Sequence, residues 1–262
     1  MRFTNKIPSV IALFLLTVPL LARTYSTTFP ATENPISEGG NWTSGSAAGT
    51  CNGHPCYYDM RTTSDSAFGT MPSPPPGAND STAILTGTWG LNQTVTAVAH
   101  IPNYAAGELE IRLRSSLAPG GLSYGYEVNF AQGYCQIVRW NGAVAANGDY
   151  TFLFNPLPVQ PCAKVPVEGS TIVASAVSSG SGSTVTITAW VDGKQVMSVV
   201  DSGQGGKPAI NDSFCSTHTC NPGMGTFVNS GGSSSGFGFS KYTAADSGSV
   251  VEPPTGLTGV VK

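Results

Sequence analysis

Charge is what this chain has least of. Only 10% of its 262 residues are Asp, Glu, Lys or Arg, well under half of the ~25% usual in soluble domains. The 12 basic residues are outnumbered by 15 acidic ones, for a formal net charge of -3. Nucleic-acid binding through a basic face is not expected, because it needs clustered Lys and Arg to displace counterions from phosphate. Histidine is scarce as well, with three in the chain. H-E-x-x-H and G-x-x-x-x-G-K-[ST] are missing, and the Gly-rich stretches, including the G-x-S-x-G match at Gly232 to Gly236, lack the strand-to-helix context of a nucleophile elbow or a phosphate cradle. No segment carries a sustained helical stripe, and after Ile7 to Ala22 no second long apolar run follows.

That one run sets the expected address. Arg2 and Lys6 precede it, and Arg23 and small residues such as Ser26 follow. The pattern reads as a signal peptide over residues 1–26, cleaved after Ala22 or Ser26, with the mature protein secreted and free of any membrane span. The run falls short of the ~20 apolar residues that cross a bilayer. Export permits disulfides, and Cys51, Cys56, Cys135, Cys162, Cys215 and Cys220 form an even set. Six cysteines allow about 15 connectivities. The pairing expected here joins Cys51 to Cys56, Cys135 to Cys162 and Cys215 to Cys220; the middle bridge would contribute roughly 3 to 4 kcal/mol by closing a longer loop. Both short segments read C-x-x-H-x-C, with His54 and His218 between the cysteines. Two such loops meeting in space would offer a zinc site, the alternative to the disulfides.

With 32 Gly and 19 Pro, turns must be frequent, and the stretches between them carry β-type patterning. Expected strands are Thr27 to Pro30, Thr82 to Thr88, Thr94 to Ile101, Glu108 to Arg114, Ser123 to Phe130, Tyr134 to Trp140, Tyr150 to Asn155, Ser170 to Val177, Ser183 to Val191, Lys194 to Val200 and Gly236 to Tyr242. Short strands punctuated in this way predict an all-β, two-sheet antiparallel sandwich. In Glu108 to Arg114 the apolar Leu109, Ile111 and Leu113 share one face, and Glu108, Glu110, Arg112 and Arg114 share a wet one. In Ser183 to Val191, Trp190 falls on the face of the threonines. Asp192-Gly193 then predicts a two-residue hairpin turn. Pro72 to Asn79 and Gly203 to Gly236 read as loops, residues 27–246 as one domain, and 247–262 as a Pro-containing tail. Asn41, Asn79, Asn92 and Asn211 sit in N-x-S/T sequons, which agrees with surface placement.

The stretch from Phe29 to Trp42, Tyr126-Glu127-Val128 with Tyr134 to Trp140, Trp190-Val191-Asp192-Gly193-Lys194 and Gly236-Phe237-Gly238-Phe239 resemble the concanavalin A-like lectin/glucanase superfamily, nearest to its laminin-G-like jelly rolls. The likeness covers Thr27 to Tyr242. It implies two antiparallel sheets, a glycan-holding groove on the more concave one and, frequently, a calcium ion nearby. Asp192, Asp201 and Asp212 supply oxygens for such an ion, though their spacing fits no dedicated calcium loop. The superfamily's glucanases carry E-x-D-x-E on one strand. Here Glu108-Leu109-Glu110-Ile111-Arg112 puts Arg112, which cannot act as an acid, in the third position. The alginate-type lyases carry R-[ST]-E-L-R and Q-[IV]-H; Gly107-Glu108-Leu109-Glu110 lacks the leading Arg and Gln136-Ile137-Val138 lacks the His. His100 is the remaining candidate base.

The sequence therefore favours a secreted carbohydrate-binding protein without catalysis. Trp190, Glu110, Arg112, Glu127, Asn129, Arg139 and Trp140 are the expected ligand-binding residues on strands of one sheet, with Trp140 equally suited to the core. A glycoside hydrolase or lyase on the same scaffold is the first alternative. A structural or adhesive surface protein is the second.

Overall fold

The computed structural model describes residues 22–72, 80–102, 107–144, 148–154, 162–228 and 233–246. The expected leader up to Leu21, all but Pro72 of the Pro72 to Asn79 loop, and the 247–262 tail lie outside the described residues. Strands in chain order are β1 (Thr24–Thr27), β2 (Trp42–Ser44), β3 (Thr50–Cys51), β4 (His54–Pro55), β5 (Tyr58–Thr63), β6 (Ser66–Gly69), β7 (Ser81–Leu85), β8 (Gln93–His100) and β9 (Gly107–Ala118). They continue as β10 (Leu122–Phe130), β11 (Cys135–Ala143), β12 (Tyr150–Phe154), β13 (Thr171–Ser178), β14 (Val185–Val191), β15 (Lys194–Asp201), β16 (Asn221–Val228) and β17 (Gly238–Asp246).

These strands make the two antiparallel layers that the alternation predicts. The front layer runs β12-β11-β10-β9-β16-β7, with β2 added to β7. The back layer runs β15-β14-β13-β8-β17-β6, with β1 on β17. β5 joins the layers, pairing antiparallel with β6 and parallel with β7 at Tyr58 and Asp59. Between the layers lies one core. Leu109, Ile111 and Leu113 of β9 and Val128 and Phe130 of β10 are fully buried, as are Val95 and Ala97 of β8, Ala174 and Ala176 of β13 and Ile187 and Ala189 of β14. Removing that much apolar surface from water is the main term holding the layers together. The β14–β15 turn has φ of 48° at Asp192 and 76° at Gly193, the two positive values a type I′ hairpin demands.

Several expectations are corrected. The first strand is Thr24–Thr27 rather than Thr27 to Pro30, because Phe29 turns away at φ 56°. The Gly203 to Gly236 segment is not one loop: it contains β16, which pairs with both β7 and β9 in the middle of the front layer. Pro222, Gly223 and Gly225 hide this strand from its sequence pattern. The glycines are there for close approach. A Cβ on Gly223 would sit 2.5 Å from the Ala83 carbonyl oxygen, and one on Gly225 would sit 2.4 Å from Glu110 Oε2. All six cysteines form the three expected disulfides, so their sulfurs are not available to zinc. Among the described residues, no helix is long and apolar enough to cross a membrane.

Candidate functional site

The second face of β9 carries Glu108, Glu110 and Arg112, and sequence reasoning makes that face wet. It is instead covered. The segment Gly45–Tyr57 folds over it, packing Ala48, Cys56 and Tyr57 against Trp140 and Val144. The Cys51–Cys56 disulfide presses on the β9–β10 turn, where a Cβ on Gly121 would lie 2.4 Å from Cys51 Sγ. Glu110 and Arg112 end at 0% and 2% exposure. Arg114 leaves this face altogether. A β-bulge opposite Asn221 and Gly223 and a φ of 48° at Arg114 reverse its direction. Its guanidinium donates to the carbonyls of Leu91 and Ile210 and to Ser178.

Arg112 is the hub of the covered face. Its Nη2 lies 2.6 Å from Asp80 Oδ2 and 2.5 Å from Glu110 Oε2, and its Nη1 lies 2.7 Å from Glu127 Oε2. Asp80, Glu110 and Glu127 bring carboxylate oxygens within 4.8 Å of one another, an arrangement that suits a cation. The cation seated there is the guanidinium itself. Cross-strand register explains the grouping: Glu127 of β10 faces Arg112 and Asn129 faces Glu110. Glu127 also accepts from Trp140 Nε1 at 2.6 Å and from Asn129 Nδ2 at 2.9 Å.

Burial and mutual repulsion raise Glu108, Asp80 and Glu110 above the ordinary carboxylate range. Burial first, then the charge of Glu127, pushes Glu108 up to about 8, against the lowering effect of the Tyr134 hydroxyl that donates to it. Asp80 is raised by burial and then by Glu127. Glu110 is raised well above its ordinary value by burial and then by Asp80. The single guanidinium does not compensate for four acids.

Beside this cluster opens a cleft of about 290 Å³, lined by Glu108, Glu127, Asn129, Gln136, Trp140, Tyr150 and Phe152 together with Asp80, Tyr134, Val138 and Phe227. Tyr150 and Phe152 stand on β12, the edge strand, and are 43% and 39% exposed. Seven buried side-chain polar atoms lack a hydrogen-bond partner among the described residues, and four of them belong here: Glu110 Oε1, Arg112 Nε, Asn129 Oδ1 and Gln136 Nε2. Such atoms are costly unless something else completes them.

The structure thus brings together Glu110, Arg112, Glu127, Asn129 and Trp140 from the sequence-derived set. It separates the other two. Arg139 neighbours Trp140 along β11 and so points through the sheet to the opposite side, where its Nη1 meets Asp201 Oδ1 at 2.5 Å and both side chains are fully buried. Trp190 stands on β14 in the back layer, alternating with the core residues Ala189 and Val191, and is not among the cleft residues. The alternative base His100 pairs with Glu168 at the end of β8, also in the back layer. The three aspartates considered for calcium do not fit a shared ion. Asp192 is held by Lys164, Asp201 by Arg139 and Asp212 by Arg114. Sequence reasoning missed Asp80, Glu108, Tyr134, Gln136, Val138, Tyr150, Phe152 and Phe227 as lining residues, although Gln136 shares the alternation of Trp140, and Tyr150 and Phe152 alternate on β12.

No protein-family profile and no curated protein sequence matches this chain. Solved structures do. A β-agarase A in complex with oligoagarose superposes with a TM-score of 0.52 at 10% identity, over 86% of this chain and 92% of that one. An endo-1,3-β-glucanase from Streptomyces sioyaensis gives 0.46 at 11% over 91% and 100%. A carbohydrate-binding module from Bacillus subtilis gives 0.41 at 11% over 79% and 92%. The fold is the jelly-roll sandwich of concanavalin A-like lectins and glucanases that the sequence resemblance implies.

Proposed function

We propose that this is an exported glycan-binding protein whose front-layer cleft holds a saccharide without cleaving it. The observation that carries the reading is the pair of unpartnered, buried amide atoms on adjacent strands, Asn129 Oδ1 and Gln136 Nε2, in two residues that line the cleft. One accepts and the other donates, and a sugar hydroxyl does both. Asn129 donates its Nδ2 to Glu127 Oε1, which leaves its Oδ1 as the free acceptor. Trp140, Tyr150 and Phe152 supply flat apolar surface for the C–H faces of a sugar ring. The three disulfides support an oxidising, extracellular destination. Neighbours of the same fold include binding modules and hydrolases alike, so fold does not choose between them.

Against turnover stands Arg112. A retaining glycosidase needs a free carboxylate nucleophile and a second carboxyl about 5 Å away. Here Glu110, Glu127 and Asp80 are all tied to one guanidinium. A specific observation favours hydrolysis as the second reading: Glu108, raised to about 8, lines the cleft as a proton-bearing acid at neutral pH. A polysaccharide panel decides between them. Binding without released reducing ends, weakened at least tenfold by Gln136→Ala, is expected. Release of oligosaccharides that Glu108→Gln abolishes would establish the hydrolase.

A further inference from the structure

We infer that the cleft accepts uncharged saccharides and that Glu108 sets this preference by donating a hydrogen bond from its carboxyl group to the bound sugar. The inference rests on the saccharide reading above. It starts from the way Arg112 distributes its donors. Nη2 serves Asp80 and Glu110, Nη1 serves Glu127, and Nε faces the bare Cα of Gly225 without a partner. None reaches Glu108. Among the described residues, no Lys or Arg lines the cleft. A uronate or sulfate entering it would meet carboxyl groups with no cation left to receive it.

Glu108 is surrounded by groups that oppose its ionisation. The charges of Glu127 on β10 and of Asp80 in the segment before β7 act on it, and Glu110 stands two positions along its own strand. Arg112 acts on it only through space, and its cross-strand neighbour Phe227 is apolar. Its one strong partner is the Tyr134 hydroxyl, which donates to Oε1. A protonated carboxyl keeps one O–H to give away, and with Oε1 taken as acceptor that donor falls to Oε2 of a residue that lines the cleft. The raised value of about 8 keeps the proton in place through neutral pH. Above it, the donor becomes a second acceptor and the hydrogen bond to a sugar hydroxyl changes sense.

Glutamine is the test residue, since its amide donates at every pH and its carbonyl still accepts from Tyr134. Depletion binding is measured on immobilised neutral polysaccharides (agarose, laminarin, xyloglucan) and on polyuronates (alginate, polygalacturonate), at about pH 6 and about pH 9.5, with folding checked by near-UV circular dichroism. Wild-type protein is expected to bind a neutral polymer and to lose roughly thirtyfold in affinity at the higher pH, from the fraction still protonated. Glu108→Gln is expected to lose that step and to bind more tightly than wild type at the higher pH. Polyuronates are expected to retain neither. A flat wild-type profile, a step that survives in Glu108→Gln, or retention on polyuronates would overturn the inference while leaving saccharide binding intact. Failure to bind any polymer at either pH would overturn both readings.

Discussion

Two buried arginines on the same sheet are held in opposite ways. Arg139 meets one carboxylate, Asp201, and spends its remaining donors on neutral oxygens of Gln204, Asn141 and Thr151. Asp201 is completed in turn by the Tyr126 hydroxyl at 2.8 Å. Charge is matched one to one, and no atom of the pair is left over. Arg112 meets three carboxylates, leaves a fourth unserved, and retains an unpartnered Nε. A scaffold that only needs two layers fastened together is served by the first arrangement. The second stores excess negative charge, held protons and open hydrogen-bond positions beside a cleft, which is a cost to folding that a ligand can repay.

Deleting each arginine gives the largest expected contrast. Arg112→Met strands three carboxylates and is expected to cost about 4 kcal/mol or more at pH above 8, against about 3 kcal/mol for Arg139→Met, measured by urea unfolding. Isosteric neutralisation of the acids then gives opposite signs. Asp201→Asn is expected to destabilise by about 3 kcal/mol, because it leaves Arg139 buried without its anion. Glu108→Gln is expected to stabilise the protein at about pH 9 and to do little at about pH 5, because it removes charge already in surplus. Equal signs would break the comparison.

Smaller effects sharpen it. Gly225→Ala forces a methyl group against Glu110 Oε2 and the Ser81 carbonyl oxygen, which it would approach to 2.4 and 2.9 Å. Overpacking of that kind costs about 1 to 3 kcal/mol, and the variant is expected to disturb the Arg112 cluster while Arg139 is untouched. In wild-type protein, Glu108 rises from an ordinary 4.5 to about 8 on folding. A carboxyl raised in this direction binds its proton in the fold where the unfolded chain has released it. Its contribution is complete below about 4.5 and is lost as pH rises towards 8, so the thermal midpoint is expected to drop by on the order of 10 °C between those limits.

Much of the architecture is readable from alternation alone. Leu109, Ile111 and Leu113 point inward as their period of two requires, and Asp192-Gly193 turns as expected. β16 is unreadable because its glycines serve close approach by neighbouring strands, a requirement visible only once β7 and β9 are beside it. Part of the site follows the same logic: Glu110, Arg112, Glu127 and Asn129 come together because adjacent strands place same-face residues opposite one another. Arg139 fails that rule from the outset, since it adjoins Trp140 and successive residues face opposite ways. Arg114 obeys the rule in sequence and breaks it in space, where a bulge shifts the count by one. The cover over Arg112 comes from Gly45–Tyr57, a segment without strand periodicity, so nothing local announces that the polar face is dry.

The central claim is that the front-layer cleft, and no surface of the back layer, receives the saccharide. Tyr150 and Phe152 are partly exposed on an edge strand, so their removal spares the core, and Trp190 on the back layer is the matched control. Depletion binding on whichever neutral polysaccharide retains wild-type protein compares the Tyr150→Ala/Phe152→Ala double variant with Trp190→Ala. The account predicts at least a tenfold loss for the double variant, from two aromatic contacts worth roughly 1 kcal/mol each, and wild-type retention for Trp190→Ala. Retention that survives in the double variant and disappears with Trp190→Ala would contradict it.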